Sequence, residues 1–133
     1  CDTGNDLFSS LRQGALLQKH VTGDPQAFSA WDSLAMATIN AARAIGMGDS
    51  IGSLEPGKRA DFIFIGCDSP RMRPVNSPEN VVAYTATGAD VKTVVVDGRE
   101  LVQEGRLVSM NLPRILADAQ RTADVLRRRL ELA

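Results

Sequence analysis

Few side chains in this sequence are suited to acid–base, nucleophilic or metal chemistry, and they are scattered. Its 133 residues include one histidine, His20, and two cysteines, Cys1 and Cys67, which lack CxxC spacing. A metal site that needs several histidines cannot be built from this set, and a cysteine nucleophile would have only His20 as its base. The sequence also lacks a Ser/His/Asp set, a phosphate-binding loop and a dinucleotide fingerprint. We therefore expect His20 to be a surface imidazole near the negative end of a helix.

Paired carboxylates are the other arrangement that could do acid–base work. Asp2 and Asp6 are close in sequence, but Asp6 is better explained as the N-cap of a helix. Glu55 and Asp61 flank a predicted turn, where we expect them to be solvated or paired with the cations of residues 58–59. The residues taken on their own therefore predict no catalytic group.

Charge and hydropathy exclude several classes of protein. The 15 basic and 16 acidic residues leave a net charge of −1, which argues against a nucleic-acid-binding surface and against a polybasic membrane-binding surface. There is no run of about 20 apolar residues that could span a bilayer and no recognisable signal peptide. We interpret the two cysteines as free thiols of a cytoplasmic protein. Because the sequence begins with Cys1 instead of Met, we expect it to be part of a longer protein.

Residues 1–48 have the apolar periodicity of helices. Asp6 is expected to cap the first helix, which ends in a Thr-Gly-Asp-Pro turn. A second helix is predicted to begin after Ser29, because Ser29 and Asp32 form a capping-box pattern. This helix is predicted to continue to Ile45, where glycines end it.

Residues 49–110 change to the pattern of short strands. Apolar, β-branched runs at 61–65 and 91–96 predict two of them, and the second run leads into an Asp-Gly pair that is typical of a hairpin turn. The proline-rich stretch 67–80 is predicted to be a loop. Residues 81–86 fit a strand or a helical turn equally well.

Residues 111–133 are predicted to form a C-terminal amphipathic helix with Asn111 as its cap. We interpret the triplet Arg127–Arg129 as part of the solvated face of this helix. The chain is thus expected to have a mixed α/β fold, with three consecutive parts at residues 1–48, 49–110 and 111–133.

Three ordered segments resemble the metal-dependent amidohydrolases. Residues 52–63, GSLEPGKRADFI, are similar to the family pattern G-S-[IL]-x-x-G-K-x-A-D-[LF]-[VI]. Residues 37–46, ATINAARAIG, are similar to the helix that precedes this pattern, and residues 91–99, VKTVVVDGR, resemble a later hairpin. The resemblance implies that residues 1–48 are terminal helices of a (β/α)8 barrel. It also implies that residues 49–110 are a segment of a small β-sandwich, followed by the C-terminal helix.

The first helix resembles one branch of that family. Residues 5–20 are similar to a helix of the deaminases and chlorohydrolases, which include methylthioadenosine/S-adenosylhomocysteine deaminases, guanine deaminases and triazine hydrolases. In that branch an Asp after the eighth barrel strand is a metal ligand and general base, and this alignment places it just upstream of Cys1. Asp2 is the one stand-in within the sequence, although it lies too close to Asp6 for the alignment.

The resemblance implies metal-assisted hydrolysis in the parent protein. A divalent metal, zinc or iron, would activate water against a carbon–nitrogen or carbon–halogen bond of a purine-, pyrimidine- or triazine-like ring. The other metal ligands belong to earlier barrel strands, so we expect the 133-residue chain to be inactive alone.

Because the resemblance places the rest of the barrel outside this sequence, it also predicts partners. The apolar face of the first two helices is expected to be covered by the rest of the catalytic barrel or by another copy of the chain, and we expect a homo-oligomer. Nucleic acid and membranes are not expected partners. The alternative is a non-enzymatic structural or interaction domain built on the β-sandwich.

Overall fold

The computed structural model describes residues 6–131, which form five α-helices, two short 3₁₀ turns and four strands. The helices are α1 (Leu7–Thr22), α2 (Ala30–Ala37), α3 (Ile39–Ala44), α4 (Pro78–Tyr84) and α5 (Leu112–Glu131). The strands are β1 (Phe62–Ile65), β2 (Val91–Val96), β3 (Arg99–Gln103) and β4 (Arg106–Leu107). Among these residues, no helix combines the length and the apolarity that a membrane span requires.

The capping signals that the sequence carries at the first helix are confirmed. The backbone N–H of Phe8 donates to the Asp6 carboxylate at 3.1 Å, so Asp6 is the N-cap of α1. Gly23 ends the helix in the left-handed conformation, with φ of 66°, which glycine adopts without the steric cost of a Cβ atom.

The second helix begins where the sequence predicts, but the predicted length is wrong. The Ser29 hydroxyl accepts from the Asp32 N–H at 3.2 Å and the Asp32 carboxylate accepts from the Ser29 N–H at 2.8 Å, which is the predicted capping box. Thr38 then breaks the helix into α2 and α3, with φ −122° and ψ −98°. Its hydroxyl donates to the Leu34 carbonyl at 2.6 Å. A threonine hydroxyl that bonds back to the carbonyl four residues earlier bends helices.

The four strands form one antiparallel sheet in the order β1-β2-β3-β4. Phe62 pairs with Val95, so the start of β1 lies beside the end of β2. The predicted hairpin turn is confirmed, since Asp97 and Gly98 both have positive φ, 51° and 75°. Two consecutive positive φ values match the right-handed twist of the strands that the turn joins.

The proline-rich segment contains more structure than the predicted loop. A 3₁₀ turn covers Pro70–Met72, and α4 begins at Pro78. A proline fits the first helical position, because the N–H that it lacks would have no partner in the helix. The stretch 81–86, which fitted two structures, is largely helical because α4 packs against α1 and α2 and buries Ala83 completely.

The buried apolar core of the described residues is small and lies mainly where α1, α2 and α4 meet. It consists of Leu11, Ala15, Ala30, Ala42, Met72, Ala83, Ala86 and Val95. Five of these eight residues are alanines, so little apolar area per side chain leaves water. The C-terminal helix α5 adds nothing to this core. The Asn111 side chain caps it as predicted, accepting from the Arg114 N–H at 3.1 Å.

Loss of the α2 capping box tests how local signals hold the helices. We expect Ser29→Ala to lower the free energy of unfolding by about 1 kcal/mol, because the Asp32 N–H loses its acceptor. Urea unfolding followed by circular dichroism measures this change. Ser10→Ala is the control, an exposed serine within α1; an equal loss in this control would contradict the capping account.

Candidate functional site

The residues with the chemistry of ligands and nucleophiles are dispersed in the structure. His20 is exposed in the last turn of α1, as predicted. Cys67 is a half-buried free thiol, whereas Asp2 lies outside the described residues. Within residues 6–131, no three or more His, Cys, Asp or Glu side chains are grouped so that they could hold a metal ion. The described residues therefore do not fit the zinc or iron that the resemblance implies.

Glu55 belongs to a polar turn. Its carboxylate accepts from the Ser53 hydroxyl at 2.6 Å and lies 3.6 Å from Lys58 Nζ, which confirms the predicted ion pair. The Ser53 hydrogen bond, followed by the Lys58 charge, holds the pKa of Glu55 below its usual value. Lys58 Nζ also donates to the Gly48 carbonyl at 2.7 Å. These contacts close the turn around Glu55, Ser53 and Lys58.

Of the two alternatives expected for Asp61, solvation and an ion pair with Lys58 or Arg59, the ion pair does not form. The Asp61 carboxylate accepts from the backbone N–H of Asp97 at 2.6 Å, and Arg59 instead lies 3.9 Å from the Asp97 carboxylate. The cause is the strand pairing described above, which places the start of β1 beside the β2–β3 turn. Asp61 therefore fixes the hairpin against β1.

The strongest polar network in the described chain centres on Asp90, which sequence analysis missed. The Asp90 side chain is 7% exposed, and both of its oxygens lie 2.7 Å from Arg71 Nη2. It also accepts from the Thr87 N–H at 2.8 Å and from the Thr87 hydroxyl at 3.0 Å. Burial alone would raise the pKa of Asp90, but the Thr87 hydrogen bonds and the Arg71 charge outweigh it and lower that pKa.

Part of this network had a visible signal in the sequence. The Thr87-x-x-Asp90 spacing is a capping pattern, and the structure shows the reciprocal bonds of a capping box there. Arg71 carried no such signal, because it reaches Asp90 from a separate 3₁₀ turn.

The residues around Asp90 join the helices to the sheet. The Asp90 carbonyl accepts from the Gly66 N–H at 2.8 Å, just beyond the end of β1. From the helical side, Arg12 Nη2 of α1 donates to the Ala86 carbonyl at 2.9 Å. Residues 86–90 are thus held from both sides, and they set the distance between α1 and the sheet.

An apolar groove of about 940 Å³ lies between the helices and the sheet. Its lining comes from α1, α2, α3, the segment after α3, β1 and β2. The apolar side chains in it include Leu7, Phe8, Leu11, Leu34, Ile45, Met47, Ile51, Leu54, Phe62, Ile63, Ile65, Val94 and Val96. We call this surface the apolar groove.

The rim of the apolar groove is open to water. Leu54 is 74% exposed, Ile45 67% and Leu7 60%. Contiguous apolar surface of this kind marks a site of interaction with another polypeptide or ligand. Leu7 at the start of α1 and Ile45 just after α3 are thus large apolar residues that the described residues leave exposed.

The sequence matches the model of the amidohydrolase family over residues 1–101. A 5-methylthioadenosine/S-adenosylhomocysteine deaminase of Moorella thermoacetica is 41% identical over 112 residues, which are 84% of this chain and 26% of the relative. A 5'-deoxyadenosine deaminase of Methanothermobacter thermautotrophicus is 41% identical over 102 residues, 77% of this chain and 23% of the relative. The chain spans about a quarter of the length of the curated relatives it matches.

The chain also superposes on solved structures of a deaminase and a chlorohydrolase. The crystal structure of an adenosine deaminase from Xanthomonas campestris with bound zinc superposes with a TM-score of 0.89 at 32% identity, over 92% of this chain and 28% of that one. An atrazine chlorohydrolase from Arthrobacter aurescens, complexed with zinc, gives a TM-score of 0.73 at 32% identity, over 86% and 25% of the two chains.

Substitution of the buried carboxylate tests the Asp90 network. We expect Asp90→Asn to lower the free energy of unfolding by about 2 kcal/mol at neutral pH, because the half-exposed Arg71 loses its charged partner. The folded pKa of Asp90 lies below its ordinary value of 3.8. The contribution of ionised Asp90 to the free energy of unfolding is therefore complete above pH 3.8 and is lost as the pH falls through the lower folded pKa. Urea unfolding at neutral and acidic pH should show the difference between wild type and variant shrinking in acid.

The control for this test is Asp68→Asn. Asp68 is 85% exposed and lies 3.9 Å from Arg73, so its loss should cost less than about 0.5 kcal/mol. If Asp90→Asn is as mild as Asp68→Asn at neutral pH, the network does not stabilise the fold.

The open rim of the apolar groove predicts binding of an apolar fluorescent dye such as anilinonaphthalene sulfonate. Leu54→Glu should weaken dye binding and change the free energy of unfolding by less than about 0.5 kcal/mol, because Leu54 is already exposed. Val21→Glu is the matched control, since Val21 is 73% exposed and does not line the groove. Equal dye binding by the two variants would show that the groove is not the apolar surface that the dye detects.

Proposed function

The chain belongs to the amidohydrolase family, and we propose that it is the C-terminal part of a metal-dependent hydrolase. The observation that carries this proposal is the family match over most of the chain, together with relatives of which the chain spans only about a quarter. The resemblance found in the motifs at 37–46, 52–63 and 91–99 agrees with that match.

The proposed substrate is a purine-, pyrimidine- or triazine-like ring that loses an amino group or a halogen to water. The related proteins are deaminases of 5-methylthioadenosine, S-adenosylhomocysteine and 5'-deoxyadenosine, and a structural relative is an atrazine chlorohydrolase. Both reactions replace a ring substituent by hydroxide. A carbon–nitrogen bond is the favoured target, because the sequence relatives named above are deaminases.

In the proposed enzyme this chain has a structural role. We propose that residues 1–48 close the catalytic barrel, that residues 49–110 belong to a β-sandwich and that residues 111–133 add the C-terminal helix. Since residues 6–131 offer no metal site, the zinc or iron of the parent enzyme would be held by residues outside this range. On this proposal the 133-residue chain has no activity alone.

The apolar groove is the proposed contact with the rest of the enzyme. Its rim residues Leu7, Ile45 and Leu54 are more than half exposed, whereas Leu11 in its wall belongs to the buried core. Covering them would remove from water the apolar surface that the chain leaves open, at roughly 25 cal/mol for each Å². Asp90 and Arg71 would keep the helices and the sheet at the spacing that this contact needs.

A chimeric enzyme tests the proposal. In it, the 133-residue sequence replaces the corresponding residues of the Moorella thermoacetica deaminase. We expect the zinc-loaded chimera to release ammonia from 5-methylthioadenosine, because this chain would supply a folded end of the barrel. The 133-residue chain with the same zinc should release none.

Two results would contradict the proposal. Ammonia release by the 133-residue chain alone would show that it holds a complete active site. A chimera that folds cooperatively but remains inactive would favour the alternative of a non-enzymatic interaction domain.

A further inference from the structure

The C-terminal helix α5 presents an apolar stripe that no other described element covers. The stripe consists of Leu112, Leu116, Ala119, Ala123, Leu126 and Leu130. Its leucines are 45–78% exposed, at Leu112 45%, Leu126 54%, Leu116 61% and Leu130 78%. The helix lies beyond residues 1–101, which match the family model. None of its six residues lines the apolar groove, so the stripe is a separate surface.

The spacing of the stripe is that of a coiled-coil seam. Its residues follow one another at alternating steps of four and three, which places them at the a and d positions of a heptad repeat. A strict repeat of this kind favours pairing with another helix over packing on a flat or irregular surface.

We propose that α5 pairs with α5 of a second copy of this chain in antiparallel orientation. The seam reads the same in both directions about residue 121. In an antiparallel pair Leu112 meets Leu130 of the second copy, Leu116 meets Leu126, and Ala119 meets Ala123. Every layer then joins side chains of equal size, with small residues at the centre, where the helices can approach closely, and leucines at both ends.

Charge decides between the antiparallel and the parallel pair. A parallel pair would place the two Arg127–Arg129 triplets side by side, with like charges in contact. An antiparallel pair separates the triplets to opposite ends. Arg127 and Arg129 would then flank Pro113 and Ile115 of the second copy, which are uncharged, so their apolar stems could pack there. The opposed helix dipoles also favour this orientation.

The polar side of α5 is already balanced within the helix. Asp124 lies 3.2 Å from Arg127, and Asp118 pairs with Arg121 and lies 3.8 Å from Arg114. These carboxylates reduce the positive charge that an anionic membrane would need. A second copy is therefore a better fit to the whole helix than a lipid surface.

Cysteine cross-linking of the 133-residue chain tests the pairing and its orientation. Ala119→Cys and Ala123→Cys are made separately in chains that also carry Cys1→Ser and Cys67→Ser, then mixed and oxidised. We expect a disulfide between position 119 of one chain and position 123 of the other, with a mass twice 14.3 kDa. The Ala119→Cys chain alone should cross-link far less, since two 119 positions lie in different layers, beyond disulfide reach.

Two further substitutions separate the seam from the rest of the helix. Leu126→Glu should abolish the 119–123 cross-link, whereas Ala117→Glu, an exposed residue on the outer face, should leave it unchanged. Circular dichroism should show that both variants keep the fold, because α5 contributes no residue to the buried core of the described residues.

The proposal is overturned by a cross-link between two 119 positions, which would indicate a parallel pair. It is equally overturned by a monomeric mass in light scattering without any cross-link, including the case in which α5 binds added vesicles of anionic phospholipid.

Discussion

Hydrogen bonds to the Asp90 carboxylate and carbonyl join the segment between α4 and β2 to the Pro70–Met72 turn and to the end of β1. Thr87 and Arg71 saturate that carboxylate, and the Asp90 carbonyl accepts from Gly66 at the end of β1. The apolar core of the described residues is small and alanine-rich, so packing alone would fix this arrangement weakly. A buried, fully hydrogen-bonded charge can specify geometry where apolar contacts are few. The apolar groove lies between the helices and the sheet that this segment joins.

That groove connects the structure with the family. A domain that is complete in itself would bury its large apolar side chains, whereas Leu54 and Ile45 on the groove rim are exposed by two thirds or more. Relatives about four times as long share the sequence and the fold. We propose that the longer protein carries out the chemistry and that this chain closes and supports its catalytic barrel. The absence of a metal-binding cluster within residues 6–131 and the uncovered groove then have one explanation.

Local signals in the sequence predicted much of this structure, and long-range contacts account for the rest. Caps such as Asp6 and the Asp-Gly hairpin depend on neighbouring residues, so their patterns were sufficient. The helix α4 depends on packing against α1 and α2, which no short window contains, whereas the break at Thr38 follows a local hydrogen bond to Leu34 that the helical periodicity did not reveal. The pairing of Arg71 with Asp90 joins two 3₁₀ turns that are far apart in sequence, and the true partner of Asp61 depends on the sheet register. The family motifs led to the proposed function, because within residues 6–131 no three or more His, Cys, Asp or Glu side chains are grouped so that they could hold a metal ion.

Amide hydrogen exchange tests the central claim, that the groove is covered by the remainder of the enzyme. The measurement compares the 133-residue chain alone with the same residues in the chimeric deaminase. Our account predicts that β1 and α3, which line the groove, exchange much more slowly in the chimera, because covering the groove suppresses their local opening. The β3–β4 turn, which does not line it, should exchange equally in both. Equal exchange of β1 and α3 in the two proteins would contradict the account.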